Sequence, residues 1–262
     1  MSTMAKPFPY DRTLDDANAR ATSRTEMSPT TKARLAGALL LLTIVGGVIA
    51  QAVISDRLVI VSGNAGATAR NIIANPNFVR IAYAIFMIEM ACQVANIALM
   101  YDLLKPVDRS VARTAAVFGF IGAGIKTLAR LFFYAPLFVL GSAPYLAAFD
   151  TKQLELLAYL LIRIQAQGTQ IALIFLGVST LLTGYLTLRS TFLPRVLGVI
   201  SLIGGTGWLA YVYPPLGNRL FMPLVLFALV GCALSIGWLL IRGVDEKKWR
   251  EMAAASSASI WR

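Results

Sequence analysis

Three polar side chains interrupt an otherwise apolar stretch of the chain, and their spacing is helical. Glu89, Gln93 and Asn96 stand at i, i+4 and i+7 within residues 79–99. Residues at this spacing share one face of an α-helix. A charged side chain at the centre of a membrane-spanning helix costs about 2.5 to 3.5 kcal/mol on insertion scales. If this stretch crosses a membrane, Glu89 therefore needs a partner or a polar cavity.

The next apolar stretch, residues 111–136, carries the two cations Lys126 and Arg130 one helical turn apart. With a rise of about 1.5 Å per residue, Glu89 lies roughly 14 Å beyond Arg80 and Lys126 roughly 15 Å before Pro136, at the same boundary. These depths agree. We therefore predict that Glu89 and Lys126 form an ion pair, with Arg130 one turn nearer the outside.

A third stretch adds Arg163, Gln167 and Gln170, again on one helical face. Three cations against one carboxylate would give a net positive cavity, which suits an anionic or amphiphilic ligand or a lipid headgroup. We expect this cavity to open to the outer leaflet. The same side chains also suit helix packing, because polar groups join transmembrane helices and long cations reach the membrane surface. The candidate ligand-binding residues are Glu89, Gln93, Asn96, Lys126, Arg130, Arg163, Gln167 and Gln170.

The sequence contains no histidine, which excludes bis-histidine haem, histidine-based metal centres and Ser-His hydrolases. Its two cysteines, Cys92 and Cys232, lie inside apolar segments and do not indicate a disulfide framework. We expect no catalytic residue, metal or cofactor, and hence no enzyme. Glu89 as a lone acid–base group is the one catalytic alternative.

The composition indicates a membrane protein. Hydrophobic residues make up 57% of the 262 residues and charged residues 14%, whereas soluble domains carry about 25% charged residues. The net charge of +11 resides mostly in tails and short loops beside apolar runs. Such placement encodes membrane topology, so we expect the lipid bilayer, and not nucleic acid, as the partner.

We predict an all-α fold, a polytopic transmembrane helical bundle with about six spans. The first span could instead be a cleaved signal peptide, because Ala50-Gln51-Ala52 resembles a cleavage site. The fourth is about 50 Å long, so it should project beyond a hydrocarbon core of about 30 Å or bend near Gly168. The predicted spans are residues 35–54, 79–99, 111–136, 154–188, 196–213 and 222–241.

Three regions divide the chain: a disordered tail (1–31), a transmembrane domain (32–243) and a carboxyl tail (244–262). Residues 1–26 precede a second methionine, Met27, and we expect them to be dispensable. A short helix over 65–74 should follow the cap Ser62-Gly63-Asn64 and end at Asn75-Pro76. Sixteen cations lie on the side of both termini and five on the other. This excess predicts cytoplasmic termini in a bacterial inner membrane.

Several segments, in order, resemble a bacterial membrane-protein family known as domain of unknown function 4386. They are 31–39 (TKARLAGAL), 67–72 (ATARNI), 103–107 (LLKPV), 184–190 (GYLTLRS), 193–198 (LPRVLG) and 238–243 (WLLIRG). The resemblance implies a six-helix inner-membrane protein and points to no particular activity, substrate or catalytic residue. The chain departs from the family pattern at Gly231-Cys232, because an acidic residue often follows this glycine in proteins of that family.

Two functions fit these observations. The first is binding or transport of a small anionic or amphiphilic molecule in the polar cavity. The alternative is a structural or regulatory membrane protein whose intramembrane polar residues serve helix packing and assembly with partners. Saturable stabilisation by a ligand would favour the first, and a co-purifying partner the second.

Overall fold

A computed structural model of the chain describes residues 27–54 and 60–259, and within these ranges the regular secondary structure is entirely helical. The α-helices are α1 (Pro29–Ile54), α2 (Ala65–Ala74), α3 (Pro76–Leu104), α4 (Arg109–Tyr134), α5 (Pro136–Val139), α6 (Thr151–Arg189), α7 (Arg195–Trp208), α8 (Pro214–Ile241) and α9 (Glu246–Ser259). Short 3-10 helices occupy Pro144–Ala148 and Leu209–Val212.

Six segments of the described chain are long and apolar enough to cross a membrane, which confirms the predicted fold class. They are Pro29–Gln51, Pro76–Leu104, Arg109–Val139, Thr151–Arg189, Arg195–Val212 and Pro214–Ile241. The last differs most from prediction, because its helix begins at Pro214 and not near residue 222. Proline lacks the N–H that a first helical turn leaves unpaired, so Pro214 opens the helix that it was expected to precede.

The predicted amino-terminal tail also ends earlier than expected. Residues 1–26 lie outside the described residues, but α1 begins at Pro29 and not after residue 31. The Ser28 hydroxyl accepts a hydrogen bond from the backbone N–H of Thr31 at 3.1 Å. A serine cap followed by proline is a strong helix start.

The connection between the first two spans contains the predicted short helix. The Asn64 side chain accepts a hydrogen bond from the Ala67 N–H at 2.9 Å and caps α2. α2 packs on the first part of α6, outside the six spans. The helix α6 continues unbroken through Gly168, where a Cβ would lie 2.9 Å from the Cβ of Ala129. The close approach to α4 therefore accounts for this glycine without a helix break.

The six spans form a closed ring. Each packs on the next in the order α1, α3, α4, α6, α7 and α8, and α8 returns to α1. We call the end of the ring that carries α2 the α2 end, and the opposite end, where α9 lies, the α9 end. This arrangement makes an interior to which all six spans contribute side chains.

Two buried apolar clusters lie at the two ends of the ring. The α2-end cluster includes Ile72 and Ile162 and the edge-to-face rings of Phe86 and Phe133. The α9-end cluster contains Ala33, Leu103, Leu104, Ala112, Leu186, Phe192, Leu193, Leu239 and Val244, with Trp249 of α9 packed against it. The indole Nε1 of Trp249 donates a hydrogen bond to the Leu103 carbonyl at 2.9 Å.

Candidate functional site

An ion pair lies near the middle of α3 and α4. The Lys126 Nζ donates a hydrogen bond to Glu89 Oε1 at 2.7 Å, and the exposed fractions of the two side chains are 14% and 4%. The predicted pairing of these residues is confirmed. A Cβ on Gly47 of α1 would lie 3.4 Å from the same carboxylate oxygen. The glycine therefore lets α1 approach the carboxylate closely.

Arg130 lies on the α2 side of this pair and is also buried. Its Nη2 is 3.9 Å from Glu89 Oε2, too long for a hydrogen bond but close enough for attraction. Its guanidinium carbon lies 3.4 Å from the ring centroid of Phe86, a cation–π arrangement. Two cations thus face one carboxylate, and the cluster carries one excess positive charge.

A cavity of about 480 Å³ begins at this cluster and extends toward the α9 end. Four of the candidate residues line it: Glu89, Gln93, Asn96 and Lys126. Its volume falls within the roughly 300–1,000 Å³ of small-molecule sites. An ammonium group has three N–H donors, and Lys126 gives one to Glu89, so two remain for a molecule in the cavity.

The cavity extends in a different direction from the one expected. The sequence suggested an opening toward the α2 end, but the lining runs from Glu89 to Leu104 on α3 and from Trp208 to Leu193 around α7. The Phe86–Phe133 pair and its neighbours fill the interior on the α2 side. Arg130 belongs to that side and is not among the lining residues.

The three candidates on α6 lie apart from the cavity. Arg163 and Gln167 are exposed, and the Gln170 Nε2 donates a hydrogen bond to Asn218 Oδ1 of α8 at 2.9 Å. The face of α6 that includes Ala158, Ile162 and Ala172 is buried instead. Small and branched apolar residues allow close packing there, so the polar face turns away.

Two candidates on α3 differ in their hydrogen bonding. The Asn96 Nδ2 donates to the Ala36 carbonyl of α1 at 2.8 Å, which joins the two helices. Gln93 Oε1 is buried with no hydrogen-bond donor in the described part of the chain, as is Glu89 Oε2. Buried polar atoms are normally paired, so these two acceptors beside the cavity have unused bonding capacity.

Hydroxyl groups on α6, α7 and α8 also line the cavity, and the sequence analysis missed them. Two hydroxyls of the lining, those of Thr43 on α1 and Thr187 on α6, bond to carbonyls of their own helices. Five others on α6, α7 and α8 make no hydrogen bond within residues 27–54 and 60–259. Ser179 and Thr183 stand at i and i+4, a spacing that could have revealed them. The unpaired hydroxyls belong to Ser179, Thr180, Thr183, Ser201 and Ser235.

The arrangement is suited to binding. An apolar chamber with one positively charged end and several free hydroxyls can hold an amphiphilic anion by charge, hydrogen bonds and apolar contact. Across the described residues there is no group of three His, Cys, Asp or Glu side chains that could hold a metal ion.

Comparison with known proteins finds one family. The profile described as Domain of unknown function (DUF4386) matches residues 35–243, which include all six spans in whole or in part. No curated protein and no solved structure gives a significant match.

Proposed function

The chain belongs to the DUF4386 family, whose description names no activity, and we therefore propose its function from the site itself. We propose that the protein binds, inside the membrane, an amphiphilic molecule with one negative charge. One observation carries this proposal. The ring of six spans surrounds a cavity of about 480 Å³ whose one charged end, formed by Glu89, Lys126 and Arg130, has an excess of one positive charge.

Charge balance supports a monoanion. Placing a net charge in a low-dielectric interior is costly unless it is compensated. One carboxylate or phosphodiester group beside Lys126 would neutralise the cluster, because the single charge of Glu89 offsets only one of the two cations. A cation would double the imbalance, and a neutral molecule would leave it unchanged.

The remaining walls fit the body of such a molecule. Most of the lining is aliphatic, including Leu40, Leu173 and Ile200, and this surface suits an alkyl or isoprenoid chain. The hydroxyls of α6, α7 and α8 can bond additional polar groups on the ligand. We propose that the ligand enters from the bilayer beside α8, which is the least buried of the six spans.

The proposed location is a bacterial inner membrane with both termini in the cytoplasm. The excess of sixteen cations over five on the side of the termini supports this orientation. The α9 end would then be cytoplasmic, and the cavity would occupy the cytoplasmic half of the bundle. The proposed function includes no reaction and no cofactor, since the polar groups supply charge and hydrogen bonds and no activated nucleophile.

A structural or regulatory role is the second candidate, and two contacts favour it. Asn96 bonds α3 to α1, and Gln170 bonds α6 to α8. Both belong to the predicted site and both act between helices. In this case the Glu89–Lys126 pair would also serve only to join α3 and α4.

Binding of three probes with equal chain lengths tests the proposal. We expect laurate to raise the thermal unfolding midpoint of the full chain saturably, and dodecylamine and methyl laurate to do so much less. Lys126→Met should weaken laurate binding roughly tenfold to hundredfold, since a hydrogen bond to a charged group contributes about 1.5 to 3 kcal/mol. Lys152→Met is the matched control, because this exposed cation lies outside the cavity.

A second variant separates binding from stability. Ser235→Leu reduces the cavity volume without touching the ion cluster, and we expect it to fold and to lose laurate binding. Equal stabilisation by all three probes would contradict the proposal. Unchanged laurate affinity in Lys126→Met and in Ser235→Leu would also contradict it. A co-purified protein partner with no laurate effect would favour the structural role.

A further inference from the structure

A second pocket, separate from the central cavity, lies at the α9 end of the ring. Its volume is about 470 Å³, and its walls come from the α6–α7 connection, the last turn of α8 and the start of α9. Leu193 alone lines both pockets. The second pocket is therefore distinct from the central cavity, and its chemistry is independent of the function proposed for that cavity.

The charges around this pocket are predominantly positive. Arg242 and Lys248 line it together with one carboxylate, Asp245. The Lys248 Nζ lies 3.5 Å from Asp245 Oδ2, so these two charges compensate each other. Arg242 has no ion pair within the described ranges, and its guanidinium carbon lies 5.0 Å from the ring centroid of Trp238. One uncompensated cation remains at the pocket.

Hydrogen-bond donors surround the same space. Trp238 lines the pocket, and its indole Nε1 is buried without an acceptor in the part of the chain that the structure describes. The exposed Thr191 also lines the pocket, and its hydroxyl has no partner there. Pro194 precedes α7 and supplies no side-chain cap, so the first N–H groups of that helix add positive potential. These donors match an anion with several acceptor oxygens.

Apolar surface adjoins the pocket on the side of α8. Trp238, Ile241 and Arg242 stand at i, i+3 and i+4 and share one face of the helix end. Ile241 is 77% exposed, which places a large apolar side chain next to the cationic group. Tryptophan and arginine beside exposed aliphatic residues are typical of the membrane–water boundary. A phosphate group bound here would have its acyl chains along Ile241.

We infer that this pocket binds the phosphate group of an anionic phospholipid, with Arg242 as the charge partner and the exposed Thr191 hydroxyl as a hydrogen-bond donor. A phosphodiester carries one negative charge, which equals the uncompensated charge of the pocket. Free phosphate offers the same oxygens but has no apolar part to contact Ile241. The lipid is therefore the occupant that uses both features of the surface.

The test uses the full chain in nanodiscs of phosphatidylcholine, with and without phosphatidylglycerol. We expect phosphatidylglycerol to raise the unfolding midpoint and to be enriched among lipids retained by the protein in native mass spectrometry. The double variant Arg242→Gln, Lys248→Gln should lose most of this enrichment, roughly fivefold for each cation removed near an anionic surface. Arg250→Gln is the control, since this exposed cation lies on α9 with Lys248 but outside the pocket.

Two further arms make the outcome decisive. Thr191→Val keeps the shape of the side chain and removes the hydroxyl donor, so it should lower phosphatidylglycerol retention while leaving the charge unchanged. Inorganic phosphate in phosphatidylcholine nanodiscs should give no comparable stabilisation. Equal lipid retention by the double variant and by Arg250→Gln would overturn the proposal. Full replacement of the lipid effect by inorganic phosphate would overturn the assignment to a lipid.

Discussion

Glu89 and Lys126 meet at 2.7 Å near the middle of two neighbouring spans, thirty-seven positions apart in the chain. Their interaction is not isolated, because Arg130 lies 3.9 Å from the second carboxylate oxygen. The Glu89 carboxylate therefore compensates two cations, so removing Glu89 and removing Lys126 should change the stability of the protein by different amounts.

A double-mutant cycle at this pair should show both coupling and asymmetry. Glu89→Gln leaves two buried cations without an anion and should cost about 3 to 5 kcal/mol. Lys126→Met leaves Glu89 with Arg130 and should cost less. The double variant should recover part of the loss, with a coupling energy of about 0.5 to 3 kcal/mol. Chemical unfolding in mixed micelles measures all four proteins, and additive effects would contradict the coupling.

Glycine at position 205 should be essential for the contact between α6 and α7. A Cβ there would lie 2.6 Å from the Leu181 backbone nitrogen and 2.8 Å from the Gly177 carbonyl oxygen. We expect Gly205→Ala to lower the free energy of unfolding by about 1 to 3 kcal/mol, because backbone atoms cannot move aside easily. In Gly124→Ala the new methyl group has no neighbour within 4 Å, so this control should be neutral or stabilising.

The indole of Trp249 should hold α9 against the ring. Trp249→Phe keeps an aromatic ring but removes the hydrogen bond to the Leu103 carbonyl, at a cost of about 1 kcal/mol. Hydrogen exchange of residues 246–259 should become faster, with little change in α3. Arg250→Gln in the same helix is the comparison. Equal exchange rates in both variants would show that the indole bond does not anchor α9.

The start of α9 should respond to acid. The Asp245 side chain accepts a hydrogen bond from the backbone N–H of Lys248 at 3.2 Å. This bond is the main reason why the pKa of Asp245 lies below its ordinary value of 3.8. Because the pKa is lower in the folded helix end than in the unfolded chain, the ionised carboxylate stabilises the folded form at pH values above 3.8. The contribution is lost as the pH falls through the lowered pKa.

Asp245→Asn provides the measurement for this acid response. Asparagine also caps helices but does not titrate, so exchange of the first turn of α9 should become nearly independent of pH. The native protein should exchange faster in acid once the intrinsic pH dependence is removed. The same acid response in both proteins would assign it to another group.

Reporter fusions should place both ends of the chain in the cytoplasm. Alkaline phosphatase fused at residue 150 should be active, and green fluorescent protein fused after residue 262 should fluoresce, because the cation excess lies on the side of the termini. Alkaline phosphatase activity from the carboxyl-terminal fusion would contradict the proposed orientation.

The sequence predicted contacts well where a side chain is costly to bury without a partner, as a charged side chain is inside a membrane-spanning helix. Glu89 and Lys126 could be paired in advance, since a charge at membrane depth needs a partner and helical rise gives depth directly. The cap of α2 was equally predictable, because Asn64 and Pro76 act on their immediate neighbours. The start of α8 was not, because Pro214 and Pro215 are compatible with both a loop and a first helical turn.

The composition of the cavity wall required the structure. Arg163 and Gln167 share a helical face with Gln170, but only the packing of Ala172 and Gly168 against neighbouring spans determines which way that face points. Serine and threonine carry small insertion costs, so Ser201 and Ser235 gave no signal in the sequence. Their relevance depends on ring closure, which brings α6, α7 and α8 opposite α3.

The continuity of α6 has a mechanical consequence. Its 39 residues extend about 58 Å, longer than a hydrocarbon core of about 30 Å, and connect α2 with the hydroxyl-bearing wall of the cavity. Rotating such a rod by about 5° moves its far end by roughly 5 Å. Because α6 packs on α4 and α7, a molecule that displaces α2 would change the width of the chamber only if α6 also shifts against these two helices.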